Sequence, residues 1–183
     1  MIHQLDLPPS GVRTRAEFDS LPGLPRGWAW ELRSGRLELT RMPVTFWYSR
    51  SVIDVLEFWR RFGYESASDQ YVADSGFARG DTGQHNFVAD GVVFRPGHRP
   101  DKHSTTHDPA QIFAVIEAVS QDAQVREAID KLRVYAALGI PNYWIVRGDT
   151  AAEDMDGYIS MYELVGAEYK LTGSRRVSEL PAS

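Results

Sequence analysis

Apolar residues change their spacing several times along the chain, and each change marks an element. From Trp28 to Leu39 (Trp-Ala-Trp-Glu-Leu-Arg-Ser-Gly-Arg-Leu-Glu-Leu) apolar and polar positions alternate on either side of Ser34-Gly35, which predicts two short strands around a turn. Between Thr45 and Phe62 the apolar positions Phe46, Val52, Ile53, Val55, Leu56, Trp59 and Phe62 take up helical spacing, and Gly63 follows as a stop. Strands are expected at Tyr71–Ala73 and Asn86–Phe94, separated by the Arg-Gly-Asp-Thr-Gly turn at 79–83, with a polar loop from Arg95 to Pro109. Ile112–Val119 is apolar on both faces except at Glu117, the pattern of a central strand covered on each side. Ser120 and Asp122 can then cap a helix whose stripe is Val125, Ala128, Ile129, Leu132 and Ala136, with Gly139 ending it. A strand at Tyr143–Val146 and a closing hairpin of Tyr158–Leu164 with Tyr169–Thr172 complete the order. Helices alternating with mixed strands mean an α/β protein, a central mixed β-sheet flanked by helices.

Composition narrows the classes. A chain of 183 residues, 43% hydrophobic and 25% charged, is one ordinary globular domain. It contains no cysteine, which excludes disulfides, thiolate zinc sites and cysteine nucleophiles and suits a reducing cytoplasm. The amino terminus has no basic region followed by an apolar run, and no stretch approaches the roughly 20 apolar residues of a bilayer span, so a cytoplasmic protein without a membrane segment is expected. A net charge of −5 weighs against holding nucleic acid by overall electrostatics. A local basic rim could still form from Arg50, Arg60, Arg61, Arg95, Arg99, Lys102 and Arg126.

Two acids stand out because each is the only ionisable group in its apolar run: Asp90 in Phe-Val-Ala-Asp-Gly-Val-Val-Phe, and Glu117. A lone buried carboxylate is costly unless protonated, paired with a cation or bound to a metal, and two from neighbouring strands can hold one hard cation. Each alone could also be a strand-end acid reaching solvent, and Asp90-Gly91 could be a simple turn. Lys131 lies at the border of the apolar stripe, from which its stem could carry the ammonium to the sheet. Its alternative is a solvated pair with Glu127 one turn earlier. Two acids side by side would repel, so loss of Glu117 in the absence of metal is expected to cost little. Strand alternation puts Glu31 and Glu38 on the polar face of the first hairpin. His103 and His107 have the spacing of a helical zinc site but fall in a loop. The chain carries no phosphate loop, nucleophile elbow or dinucleotide fingerprint.

Trp30-Glu-Leu-Arg-Ser-Gly-Arg-Leu, Ala89-Asp-Gly-Val-Val-Phe, Val115-Ile-Glu-Ala-Val-Ser and, above all, Lys131-Leu-Arg-Val-Tyr-Ala-Ala-Leu-Gly-Ile-Pro-Asn-Tyr-Trp-Ile-Val resemble the Uma family of restriction-endonuclease-like proteins (domain of unknown function 820), a branch of the PD-(D/E)XK nuclease superfamily. The resemblance implies a restriction-endonuclease-like domain over residues 28–175, with an arm at 1–27 and a tail at 176–183. It implies that Asp90 and Glu117 bind Mg2+ or Mn2+, that Lys131 stands for the motif's lysine moved from strand to helix, and that Glu31 is an auxiliary acid. Ala89 stands where the family has proline before the Asp, and Ser-Gln-Asp-Ala-Gln follows the second acid where the family has Ser-Pro-Ser-Thr. The implied activity is metal-dependent hydrolysis of DNA. A catalytically inactive binding or accessory protein on the same fold is the alternative, and a homodimer is a further possibility.

Overall fold

The computed structural model describes residues 14–42, 46–80, 82–119, 122–148 and 156–180, with the backbone alone given at residues 46 and 122–127. The elements run α1 (Arg15–Asp19), β1 (Trp28–Arg33), β2 (Arg36–Arg41), α2 (Phe46–Arg61), β3 (Ser66–Ala73), α3 (Ser75–Ala78), β4 (Asn86–Phe94), β5 (Thr106–His107), β6 (Ile112–Val119), α4 (Asp122–Ala137), β7 (Asn142–Gly148), β8 (Gly157–Val165) and β9 (Glu168–Arg176). None of the described helices is long and apolar enough to cross a membrane.

The strands form one mixed sheet in the order β2-β1-β4-β6-β7-β8-β9, with β3 on β4 and β5 on β3. Two neighbours in it are parallel: β6 with β7, joined through α4, and β3 with β5. A parallel pair needs a crossover of this kind, and the crossover helix must cover a sheet face. On one face, Val52, Val55 and Leu56 of α2 pack on Ile116, Val146 and Ile159. On the other, Ala128 and Tyr135 of α4 pack on Phe87, Val115 and Tyr143. Side chains alternate along β6, so Ile116 and Ala118 face α2 while Val115, Glu117 and Val119 share the α4 side.

In β4, the alternation breaks. Phe87, Ala89 and Val92 belong to the α4 side, yet a Cβ on Gly91 would meet Leu56 at 3.1 Å and Ile116 at 3.2 Å on the α2 side. The slip falls at Asp90. Opposite it in the register of β3 stands Asp69, whose φ of 54° is unusual for a residue with a side chain.

Some expectations need correction. The third strand begins at Ser66, and between it and the turn expected at 79–83 residues 75–78 form α3. The polar loop is interrupted by β5, because Tyr71 and Val72 of β3 still have a free edge for Thr106 and His107 to pair with. Ile129, placed in the buried stripe, is exposed, while Tyr135 takes the core position. Asp90-Gly91 is strand rather than turn. The cap proposed at Ser120 lies outside the described residues, and at Asp122 and the stripe position Val125 the backbone alone is described, as helix. From residue 176 the chain makes a short 3-10 turn that buries Val177 and Leu180 against α2.

Candidate active site

The sheet forks beside β4. β1 is paired in register with β4 only at Leu32–Asn86, and the β6 register with β4 begins at Gly91–Ile116, so the backbone around Val88 lies between two diverging neighbours. Buried main-chain groups left by such a gap must find other partners. Here they find the candidate site residues. Val88 N–H donates to Glu31 Oε1 at 2.9 Å, Val88 C=O accepts from Lys131 Nζ at 2.9 Å, and Ala118 N–H donates to Asp90 Oδ2 at 2.7 Å.

Around these bonds an ionic network closes. Lys131 Nζ lies 3.1 Å from Glu31 Oε1 and 3.5 Å from Glu117 Oε2. Glu31 Oε2 accepts from the Thr40 hydroxyl at 3.0 Å and has Arg33 Nη2 at 3.8 Å. Tyr135 donates its hydroxyl to Glu117 Oε1 at 3.1 Å. Burial first, and then the neighbouring Glu117 charge, push the Tyr135 phenol well above its ordinary range, so it stays a donor. Glu31, Asp90, Glu117 and Lys131 are all buried.

Thus the four residues singled out in the sequence come together from β1, β4, β6 and α4. They line one small open cleft of about 40 Å³ together with Thr40, Arg41, Met42 and Tyr48. Glu31 is the largest departure. Alternation put it on a polar face, but it is completely buried because the fork and α4 enclose it, while its partner Glu38 remains outside, bonded to Arg33 at 3.0 Å. Lys131 points inward, so the solvated pairing with Glu127 does not describe it; the Glu127 side chain itself lies outside the described residues. Glu117 faces a cation and a phenol as well as the neighbouring acids of the cleft.

Sequence reasoning missed Thr40, Arg41 and Tyr135. Tyr135 carried a signal, since it lies four positions after Lys131 and so on the same helix face. Of the proposed rim, Arg50 pairs with Asp54 at 3.0 Å on its own helix and Arg60 donates to the Ser66 carbonyl. Arg126 lies outside the residues whose side chains are described. His107 is buried beside Phe94, with Nε2 at 3.0 Å from Gln70 Oε1.

Among the described residues no three His, Asp or Glu side chains are grouped to hold an ion by themselves. That does not exclude magnesium, which commonly uses one or two carboxylates and completes its shell with water and substrate oxygens. The cleft lining has three carboxylates, Glu31, Asp90 and Glu117, against the cations Lys131 and Arg41. Both oxygens of Glu31 and both of Glu117 already meet protein donors, as does Asp90 Oδ2. The hard oxygens of Asp90 and Glu117 are the donors that suit a divalent ion.

Comparison with known proteins agrees with this architecture. The crystal structure of a protein from Anabaena variabilis ATCC 29413, described as "a putative nuclease belonging to DUF820", matches with a TM-score of 0.60 over 89% of this chain and 83% of that one, at 16% identity. The fold is therefore the nuclease-like α/β class. The model of the Uma2 family, described as "Putative restriction endonuclease", matches residues 15–182, and the chain belongs to that family. No curated protein matches it.

Proposed function

We propose that the protein is a metal-dependent endonuclease that hydrolyses DNA phosphodiester bonds at the fork between β1, β4 and β6, acting in the cytoplasm to which its lack of cysteine is suited. The observation that carries this reading is the convergence of Glu31, Asp90, Glu117 and Lys131 from four elements on one cleft. Asp90 and Glu117 would hold Mg2+ or Mn2+. When bound, such an ion polarises a phosphoryl oxygen and makes its water a better nucleophile. Lys131, fixed by Glu31 and the Val88 carbonyl, offers a preorganised positive charge to the developing oxyanion. Glu31 acts by holding that ammonium. Arg41, exposed at the mouth of the cleft, is placed to meet a backbone phosphate.

One observation favours the inactive alternative: the Lys131 ammonium already meets three protein oxygens. The two are separated by incubating purified protein with single- and double-stranded DNA in Mg2+ or Mn2+ at low ionic strength. Cleavage is expected, and Asp90→Asn or Glu117→Gln should lower it by roughly 100-fold or more. Absence of cleavage, together with no metal-dependent rise in melting temperature, would support the inactive reading.

A further inference from the structure

The helix face that delivers Lys131 delivers a second group one turn on. Tyr135 is fully buried, and its hydroxyl takes one oxygen of Glu117 at 3.1 Å while the ammonium of Lys131 takes the other at 3.5 Å. A single carboxylate is thus gripped at both ends from one face of α4. The phenol ring is itself held. It meets Phe87 edge-on at 6.1 Å and Tyr143 at 5.5 Å, and Tyr143 donates its own hydroxyl to Ala128 C=O at 2.8 Å, tying the aromatic stack back to α4.

Burying a hydroxyl is unfavourable unless it is bonded, and phenylalanine would fill this core position without that demand. Here the only polar atom of the side chain lies against the acid. The terminal torsion of a glutamate is otherwise broad, so a lone Glu117 would present its oxygens over a wide arc.

We propose that Tyr135 is a positioning residue of the site, fixing the carboxylate plane of Glu117 so that a divalent ion meets an ordered ligand. This rests on the reading of Glu117 as a metal ligand. Groups bonded to ligating side chains typically matter for affinity as well as for packing. If Tyr135 merely fills the core, its hydroxyl contributes to stability and leaves metal binding alone.

The test compares Tyr135→Phe with Tyr143→Phe, each of which removes one buried hydroxyl from the same stack. Mn2+ is titrated into wild type and both full-length variants by calorimetry, and the Mg2+ dependence of DNA cleavage is measured. Tyr135→Phe should raise the Kd for Mn2+ about tenfold and shift the half-saturating Mg2+ concentration likewise. Tyr143→Phe should lower the melting temperature and leave both metal constants unchanged. Equal Mn2+ affinity in wild type and Tyr135→Phe, or equal losses in the two variants, overturns the proposal. If wild type neither takes up Mn2+ nor cleaves DNA with Mg2+, the reading of Glu117 as a ligand falls and the nuclease reading with it. If Tyr135→Phe does not fold, p-aminophenylalanine and p-methylphenylalanine at position 135 replace it, since they fill the same volume with and without a donor. Weaker Mn2+ binding by the methyl form alone sustains the proposal, and equal binding by the two overturns it.

Discussion

Lys131 and Glu31 form the tightest ion pair of the site, and both are out of water. Removing one member of a buried pair leaves the other charge without compensation, which costs about 3–5 kcal/mol. Lys131→Met should therefore destabilise the protein by about that amount in urea unfolding, and Glu31→Ala should cost more than Glu117→Ala, because the ammonium is closer to Glu31 and Glu31 also holds Val88 and Thr40. A smaller loss for Glu31→Ala would remove it as the anchor of the network. The sequence made Asp90 and Glu117 legible because each interrupts an apolar strand. It hid Glu31, whose neighbours alternate like those of any surface hairpin. What buries Glu31 is a helix a hundred residues away, and no local pattern reports that.

The elements themselves were mostly legible wherever they were long. α2, β4 and β6 follow from apolar spacing, and their stops follow from Gly63 and the turn signals. β5 and α3 were not, since two- to four-residue elements exist only through partners elsewhere in the chain. Glycines set the tolerance of the packed elements. At Gly157 an added Cβ would fall 2.8 Å from the Arg147 carbonyl and 2.9 Å from the Trp47 indole, whereas at Gly91 the nearest atoms are the side chains of Leu56 and Ile116. A carbonyl within a strand ladder cannot move aside as a Leu methyl can. Thermal unfolding should accordingly show Gly91→Ala losing about 1–3 kcal/mol and Gly157→Ala losing more. The reverse order would mean that the β7–β8 hairpin yields more easily than the α2 face.

For the molecule as a whole, acid sensitivity should come from histidine. Burial, then His98 and Arg15, lower the His107 pKa to about 4, and burial together with Arg33 lowers that of His85 against the opposing pull of Asp74. The unfolded chain binds these protons near pH 6.5 and the folded chain only at lower pH, so the unfolded state carries more protons in between. Stability should thus fall as pH drops from about 6.5 towards 4 and level off for His107 below that. His107→Gln should flatten the melting-temperature profile across this window; an unchanged profile would assign the acid response elsewhere. The net charge of −5 has a separate effect on the proposed substrate. Few phosphate contacts are available, so DNA binding measured by anisotropy should be weak and show a shallow dependence on salt concentration.

The gap in the sheet has a practical consequence. Two amide protons that would ordinarily be hidden in strand ladders end instead on carboxylates, Val88 on Glu31 and Ala118 on Asp90. Each is a built-in spectroscopic reporter. In a nitrogen-15 correlation spectrum, an ion taken up by Asp90 should move the Ala118 resonance strongly and Val88 much less, while Glu31→Gln should do the opposite. Solvent exchange at the same two amides would time the opening of each wall separately, without substrate or catalysis.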